Sequence, residues 1–509
     1  MKYPNPIIPG FFPDPSITSD GKKYYLVTST FQYFPGVALF ESDNLVNWKQ
    51  IGHVLTRESQ LPLAHATRSA GIFAPTIRYH EGRFYMIVTN VSDGGNFLVY
   101  TDDIYGEWSD PVWLDIAGID PSLCFADGTC YFTGNGEDAK GHGAVFVCEL
   151  VPETGEKKTE LRPVWHGTGG RYLESPHLYK IGDYYYLLVA EGGTEYGHMS
   201  TYARSTSPYG PFEPYAANPV LTNRNLGGYS IQGTGHADLV EDARGNWWMV
   251  HLAYRQITRW MPFHVTGRET YLLPLTWEDG WFHTDTRGIC PLEVETDKLS
   301  ETITQPDTVV RTFANTRPDV EWVYNRNPHR ECYDWKENTL TLTGGQASIQ
   351  DALGSNTMTL LRQEQMDETI RVRIHGVRGE AGLSMYMDEE AHYDLLVRSL
   401  SSNEAEGYEV ILRSCIGNVR HDMACVNLDA SQMDAEGIVL QVACSARDYA
   451  FSIQADREYE MGRLQTRYIS TEVACGFTGV MIGLFAEPGS SARFTDFEAV
   501  RQENFVQTD

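Results

Sequence analysis

The stretch GFFPDPSI, Gly10 to Ile17, holds one carboxylate, Asp14, between two prolines. Each proline fixes its own φ near about −65° and donates no backbone N–H, and Pro15 disfavours helix at Asp14, so the acid is presented in a set direction. Alone, this would read as an Asp in a turn before a strand. The same shape returns as APTI at Ala74, DPSL at Asp120, SPHL at Ser175 and HADL at His236. Seven to nine residues after each start comes a glycine (Gly21, Gly82, Gly128, Gly182, Gly245), followed by an aromatic, β-branched run such as KKYYLVTS, RFYMIVTN or DYYYLLVA. Each unit therefore predicts strand, tight turn, strand.

The starts lie 60, 46, 55 and 61 residues apart, about the length of a four-stranded sheet, and helical periodicity is scarce. The expected fold is all-β, a five-bladed β-propeller. In that architecture the first strand of every blade runs beside the central axis, so the heads of those strands converge. Asp14 and Asp120 should then face one another at one pole, joined by Glu174, immediately before the fourth start, and by His236 at the fifth. Like charges held close raise one another's pKa and destabilise a fold, which favours a functional reason for gathering them.

Composition narrows the function. Forty Lys and Arg against 68 Asp and Glu give a net charge of −28, which opposes nucleic acid and anionic membranes. The start, MKYPNPIIPG, has no apolar signal region, and the apolar run YYYLLVA is far below the roughly 20 residues of a membrane span. Nine cysteines show no C-x-x-C pair, so reduced thiols in a cytoplasmic protein are expected. Both a monomer and a homo-oligomer fit these data.

Converging acids serve either hard-metal binding or glycoside hydrolysis. No D-x-D-x-D-G loop is present, whereas Phe31, Tyr33, Phe34, Phe73 and Tyr172 lie near the acids in sequence and suit stacking on a sugar face. Sugar hydrolysis is the favoured chemistry.

Seven ordered segments carry a family likeness: NPIIPGFFPDPSI, STFQYFPGVALFESDNLVNWKQIGHVL, AGIFAPTIRYHEGRFYMI, GIDPSL, YLESPHLYK, GTGHADLVED and GRETYLLPLTWEDGW. From about residue 4 to residue 282 the chain resembles glycoside hydrolase family 43, in its β-xylosidase and α-L-arabinofuranosidase branches. The resemblance implies Asp14 as general base, Glu174 as general acid and Asp120 as the acid that orients Glu174 and keeps its pKa high. In an inverting mechanism the base and acid stand roughly 6.5–9.5 Å apart. Of the aromatics near the acids, Phe31, Phe34 and Phe73 are the expected substrate-binding residues; the resemblance adds Arg268 as a ligand of the sugar, against a purely structural ion pair with Glu269 or another acid. His236 is either a core histidine or a holder of water or metal in the central channel, where some relatives bind calcium; no cofactor is needed for the chemistry itself. Two positions depart from the common pattern: Phe73 where relatives often have Trp, and Ser175 where many have Gly.

The propeller is expected over residues 1–290, a polar, turn-rich linker region over 291–315 and a β-sandwich accessory domain over 316–509. Pieces such as GLSMYMDEEAHYDLLVR and TGVMIGLFAEPGSSARFTDFEAV resemble the concanavalin-like sandwich appended to many family 43 xylosidases. With only Trp322 and Trp335 in this half, a structural part covering the propeller mouth is favoured over a sugar-binding module. The sequence thus reads as an exo-acting, inverting glycosidase releasing terminal xylose or arabinofuranose from short hemicellulose-derived chains. The alternatives are an arabinan-directed hydrolase of the same fold and a non-catalytic sugar-binding propeller.

Overall fold

The computed structural model describes the chain except for residues 305, 307, 314–317, 403–404, 434–436, 503–506 and 508–509. Five antiparallel sheets form the blades, with inner strands Ser16–Ser19, Thr76–His80, Ser122–Ala126, Glu174–Ile181 and Ile231–Glu241. Each is the end member of its sheet; four begin within two residues of the repeat starts read from the sequence, and the fifth begins five residues before His236. All five expected turn glycines have positive φ, between 57° and 89°, a conformation that costs glycine little and other residues more. An added Cβ at Gly21, Gly82, Gly128 or Gly182 would meet nothing within 4 Å, so backbone conformation rather than space fixes glycine there.

Outside the blades, Lys2–Pro4 pairs with Glu293–Glu295, inside the expected linker, as a two-stranded sheet. The rest of the N-terminal segment runs along the fifth blade, where Ile7 N–H reaches Thr270 O at 2.9 Å and Phe12 N–H reaches Arg268 O at 3.1 Å. Asp14 is thereby carried to the end of the blade that bears Arg268.

At the axis, Asp238 ties the blades together. Its carboxylate accepts from Ser16 Oγ (2.6 Å), the Ile17 N–H (3.0 Å), both Arg78 Nη atoms (2.8 and 3.0 Å) and the Tyr179 hydroxyl. Arg78 also donates from Nε to Leu123 O at 3.2 Å. Five blades are thus linked through one buried ion pair. Burial alone would raise the pKa of Asp238, but Arg78 and these donors hold it well below the carboxylate range.

The second half is a sandwich of two eight-stranded sheets packed through residues such as Leu340, Ile374, Leu383, Leu395, Val442 and Phe494. Thr308–Thr312, within the expected linker, already pairs with Ser491–Gln502 of one sheet. Trp322 and Trp335 pack inward around Phe313 and Phe497. The two halves share structure: Tyr33–Phe34, from the first blade, pairs with Val323–Asn325 of the other sheet. Phe11, Phe31 and Tyr33 pack against Val323, Leu360, Tyr386 and Phe485. Arg362 Nε donates to Phe11 O at 2.7 Å.

Candidate active site

Four of the five repeat-start residues share an unusual backbone. Asp14, Asp120, Ser175 and His236 have φ of 55°, 51°, 51° and 51°, a region that non-glycine residues visit rarely and that collects at functional sites. In the fourth and fifth blades the pairing register slips at the same points, between Glu174 and His177 and between Gly235 and Asp238. Bulges of this kind re-aim side chains. Asp14 is therefore turned by a left-handed backbone, rather than simply extended by its prolines. At Ser175 the positive φ explains why glycine suits the position, and the serine adds a buried hydroxyl with no hydrogen-bond partner.

The acids converge as the repeat implied, and their surroundings set them to different protonation states. Asp14 is 4% exposed. Its Oδ1 accepts from Arg268 Nη1 at 2.9 Å, its Oδ2 from the Ser29 hydroxyl at 2.5 Å, and His236 Nδ1 stands 3.7 Å from Oδ1. Burial pushes its pKa up, but Arg268, His236 and Ser29 together outweigh burial and leave it below the ordinary value. Glu174 moves the other way, pushed up to about 7 by burial first and the negative charge of Asp14 second, with Arg268 partly opposing. Asp120 lies well above its ordinary value, through burial, then Glu174, then Asp14, although it accepts a backbone hydrogen bond from Ser175. Asp14 therefore keeps the charge, while Glu174 and Asp120, close enough to repel one another, are both pushed upward.

Glu174 and Tyr172 line a cavity of about 520 Å³ together with Thr194, Tyr196, Tyr254 and Phe477. Arg268 belongs to this site rather than to Glu269, whose carboxylate is taken by Arg255 at 2.6 and 2.8 Å. Besides Asp14, Arg268 Nη1 donates to Thr194 Oγ1 at 3.0 Å, and its guanidinium lies 5.6 Å from the Phe31 ring and 5.4 Å from that of Phe477. Phe31, Phe73 and Phe477 form one aromatic group: Phe31 stacks on Phe477 at 5.7 Å, and Phe73 meets them edge-on at 5.4 and 6.0 Å.

Two expectations need correction. Phe34 is not a substrate-facing residue: in the Tyr33–Phe34 strand the side chains point to opposite faces, Tyr33 under Phe11 and Phe34 into the core with Leu55, Leu61 and Leu63. His236 does not sit in a calcium cage. Calcium takes roughly six to eight oxygen ligands, whereas the oxygens of Asp14 are already engaged by Arg268 and Ser29. His198 Nδ1 meets Gly233 O at 2.8 Å, and the channel already holds the Arg78 cation on Asp238. Among the described residues no three-ligand group of His, Cys, Asp or Glu includes His236. Burial pushes the pKa of His236 down, and the Asp14 carboxylate beside it pulls the other way.

Phe477 escaped the sequence reading because it comes from the sandwich, more than two hundred residues beyond the last propeller motif. Its segment is anchored to the propeller: Phe477 N–H donates to Ser69 Oγ at 2.8 Å, Thr471 N–H to His264 O at 3.2 Å, and Glu472 Oε1 meets His264 Nδ1 at 2.7 Å. The sandwich thus supplies part of the cavity wall. Ser29, Thr194 and Asp238 were also missed; Asp238 occupies the same repeat position as Ser16 and was legible from that alignment.

With the site described, its relatives can be compared. A sequence model of "Glycosyl hydrolases family 43" matches residues 3–282, and one of "Beta xylosidase C-terminal Concanavalin A-like domain" matches residues 310–503. A non-reducing end α-L-arabinofuranosidase of Bacteroides ovatus is 37% identical over 96% of this chain and 92% of its own. A xylosidase/arabinosidase of Butyrivibrio fibrisolvens is 35% identical over 95% of both chains. The solved structure of the Bacteroides ovatus xyloglucan PUL GH43B protein superposes with a TM-score of 0.90 at 36% identity, covering 99% of this chain and 100% of that one.

Proposed function

The chain belongs to glycosyl hydrolase family 43 and is a glycosidase; on that premise we propose that it is an exo-acting, inverting enzyme that releases a terminal pentose, β-D-xylosyl or α-L-arabinofuranosyl, from short hemicellulose-derived chains. The observation that carries this reading is the opposed setting of two carboxyls at one pole, Asp14 held ionised and Glu174 pushed up to about 7. Such a pair divides base from acid.

The steps follow from the residues. Asp14, anchored by Arg268 and Ser29, accepts a proton from a water as its oxygen attacks the anomeric carbon. As that bond forms, the glycosidic C–O bond breaks, and Glu174 delivers its proton to the departing oxygen. Asp120, which accepts a hydrogen bond from the Ser175 backbone, holds the segment that carries Glu174 and, as a neighbouring acid, opposes ionisation of Glu174. Phe477, with Phe73 at its edge, offers apolar surface to the sugar ring, and Phe31, expected as a substrate-binding residue, is buried and stacked behind Phe477. The names of the relatives cover both pentoses, so both are assigned as substrates.

The catalytic part, expected to end at 290, is assigned through the Glu293–Glu295 strand, and the accessory sandwich, expected from 316, is assigned from the Thr308–Thr312 strand onward. All nine cysteines are free thiols, which supports a reducing, cytoplasmic setting and a role in breaking down imported fragments of xylan or related polymers. Incubation with p-nitrophenyl β-xyloside and p-nitrophenyl α-arabinofuranoside tests the reading. Release of p-nitrophenol with first-formed sugar of inverted anomeric configuration, seen by proton NMR, is expected. No release, or retained configuration, would contradict it.

A further inference from the structure

The catalytic cavity adjoins a second one. Tyr196 and Glu472 line both, and the second, about 1060 Å³, extends outward past Arg224, Gln232 and Trp260. Asp14 is in the wall of neither, so both lie outward of the buried base. Glu174 protonates the departing oxygen, so what lies beyond it on the open side meets the departing part of the substrate.

Trp260 is 82% exposed, more than any other large apolar side chain among the described residues. Its loop is nevertheless held firmly. Thr258 Oγ1 donates to the carbonyls of Trp260 at 3.0 Å and Met261 at 3.2 Å, and Arg467 of the sandwich donates to Met261 O at 3.0 Å. The Arg467 guanidinium also covers the Phe263 ring at 4.4 Å, and Met261 is locked at φ 48°. The backbone that carries the indole is thus held from both sides while the ring itself stands in water, an exposed aromatic surface that no core packing explains. A second observation points to a polar ligand: Gln232 is 2% exposed, and its Oε1 has no hydrogen-bond partner while Nε2 donates to Leu226 O at 2.7 Å. A buried acceptor left unpaired is costly unless something fills it.

We propose that the groove around Trp260 binds the departing side of an oligosaccharide, sugar residues beyond the one adjoining the cleaved bond, with a ring stacked on the indole and a hydroxyl donated to Gln232. A position next to the catalytic cavity, with walls shared through Tyr196 and Glu472, and an aromatic face set among hydrogen-bonding groups match a sugar with its apolar face and hydroxyl rim better than a protein surface. The inference rests on the glycosidase reading of the pocket and extends it: the enzyme gains from longer chains although it removes one sugar at a time.

The test compares Trp260→Ala and Trp260→Phe with the parent across xylo- and arabino-oligosaccharides from di- to hexasaccharide. For the parent, kcat/KM should rise with length beyond the disaccharide. Trp260→Ala should flatten that rise by about tenfold at the long end, Trp260→Phe should restore most of it, and p-nitrophenyl pentoside rates should stay within about twofold. In a Glu174→Gln background, hexasaccharide affinity measured by calorimetry should show the same loss on Trp260→Ala, a readout that needs no turnover. An active parent whose length dependence and hexasaccharide affinity ignore Trp260 would overturn the groove while leaving the glycosidase reading intact. A change in mass by light scattering on Trp260→Ala, with unchanged length dependence, would also overturn it, making the patch a contact between copies. Loss of p-nitrophenyl activity in the parent would count against the glycosidase reading, and the calorimetric series would still decide the groove.

Discussion

Arg268 donates a 2.9 Å hydrogen bond to Oδ1 of Asp14, joining two residues 254 positions apart. The bond fixes the direction of the base and supplies the positive charge that keeps it ionised against its own burial. Replacing Arg268 by Met removes both. The pKa of Asp14 then rises, so the acidic limb of the pH dependence of kcat/KM moves to higher pH, and kcat/KM falls by about 10- to 100-fold, the range for a hydrogen bond to a charged group. A pH–rate profile checks the shift; a limb that stays in place would show that Arg268 serves the sugar alone.

The raised pKa of Glu174 has a cost in stability. A carboxyl that titrates near 7 in the folded state and near its ordinary value when unfolded binds more protons folded than unfolded between those values, so its contribution falls as pH rises through that window. Glu174→Gln removes the titration. The Tm of the variant minus that of the parent should grow more positive from about pH 4.5 to pH 8, measured by calorimetry. A difference independent of pH would mean that Glu174 does not carry the shift.

Phe477 lends the sandwich its direct part in the cavity. Its ring stacks on Phe31 and lies against the Arg268 guanidinium, yet it is 37% exposed. Phe477→Ala should therefore lower kcat/KM about tenfold while shifting Tm by only a few degrees. An unchanged kcat/KM would confine the sandwich to a structural role.

Asp238 is fully buried beneath the acids and pairs with Arg78. Asp238→Asn leaves the guanidinium without its charge partner at the axis and should reduce unfolding free energy by about 3–5 kcal/mol in urea titration. A loss below about 1 kcal/mol would show that the blades do not depend on this pair.

Much of this architecture was legible in the sequence because a propeller repeats: five strand heads, each followed by a turn glycine, gave the blade count and brought Asp14, Asp120 and Glu174 to one pole. Repetition says nothing about side-chain parity in an irregular strand, so Phe34 looked equivalent to Phe31 although their side chains end in different layers. Nor does it mark a residue such as Phe477, which reaches the site only through the docking of a second domain. The partners that fix the charge were also hidden: proximity of Asp120 to Glu174 was inferable, but that Asp14 keeps the charge follows from Arg268, Ser29 and His236 closing around it.

The division of labour between Asp14 and Glu174 is tested most directly by comparing leaving groups. p-Nitrophenolate departs without needing a proton, whereas the sugar oxygen of an oligosaccharide requires one. Glu174→Gln should lose at least about 10²-fold more kcat on xylo- or arabino-oligosaccharides than on the matching p-nitrophenyl pentoside, and Asp14→Asn should lose activity on both about equally. Equal losses from Glu174→Gln on both substrates, or a larger dependence on leaving group for Asp14→Asn, would contradict the assignment of proton donor and base.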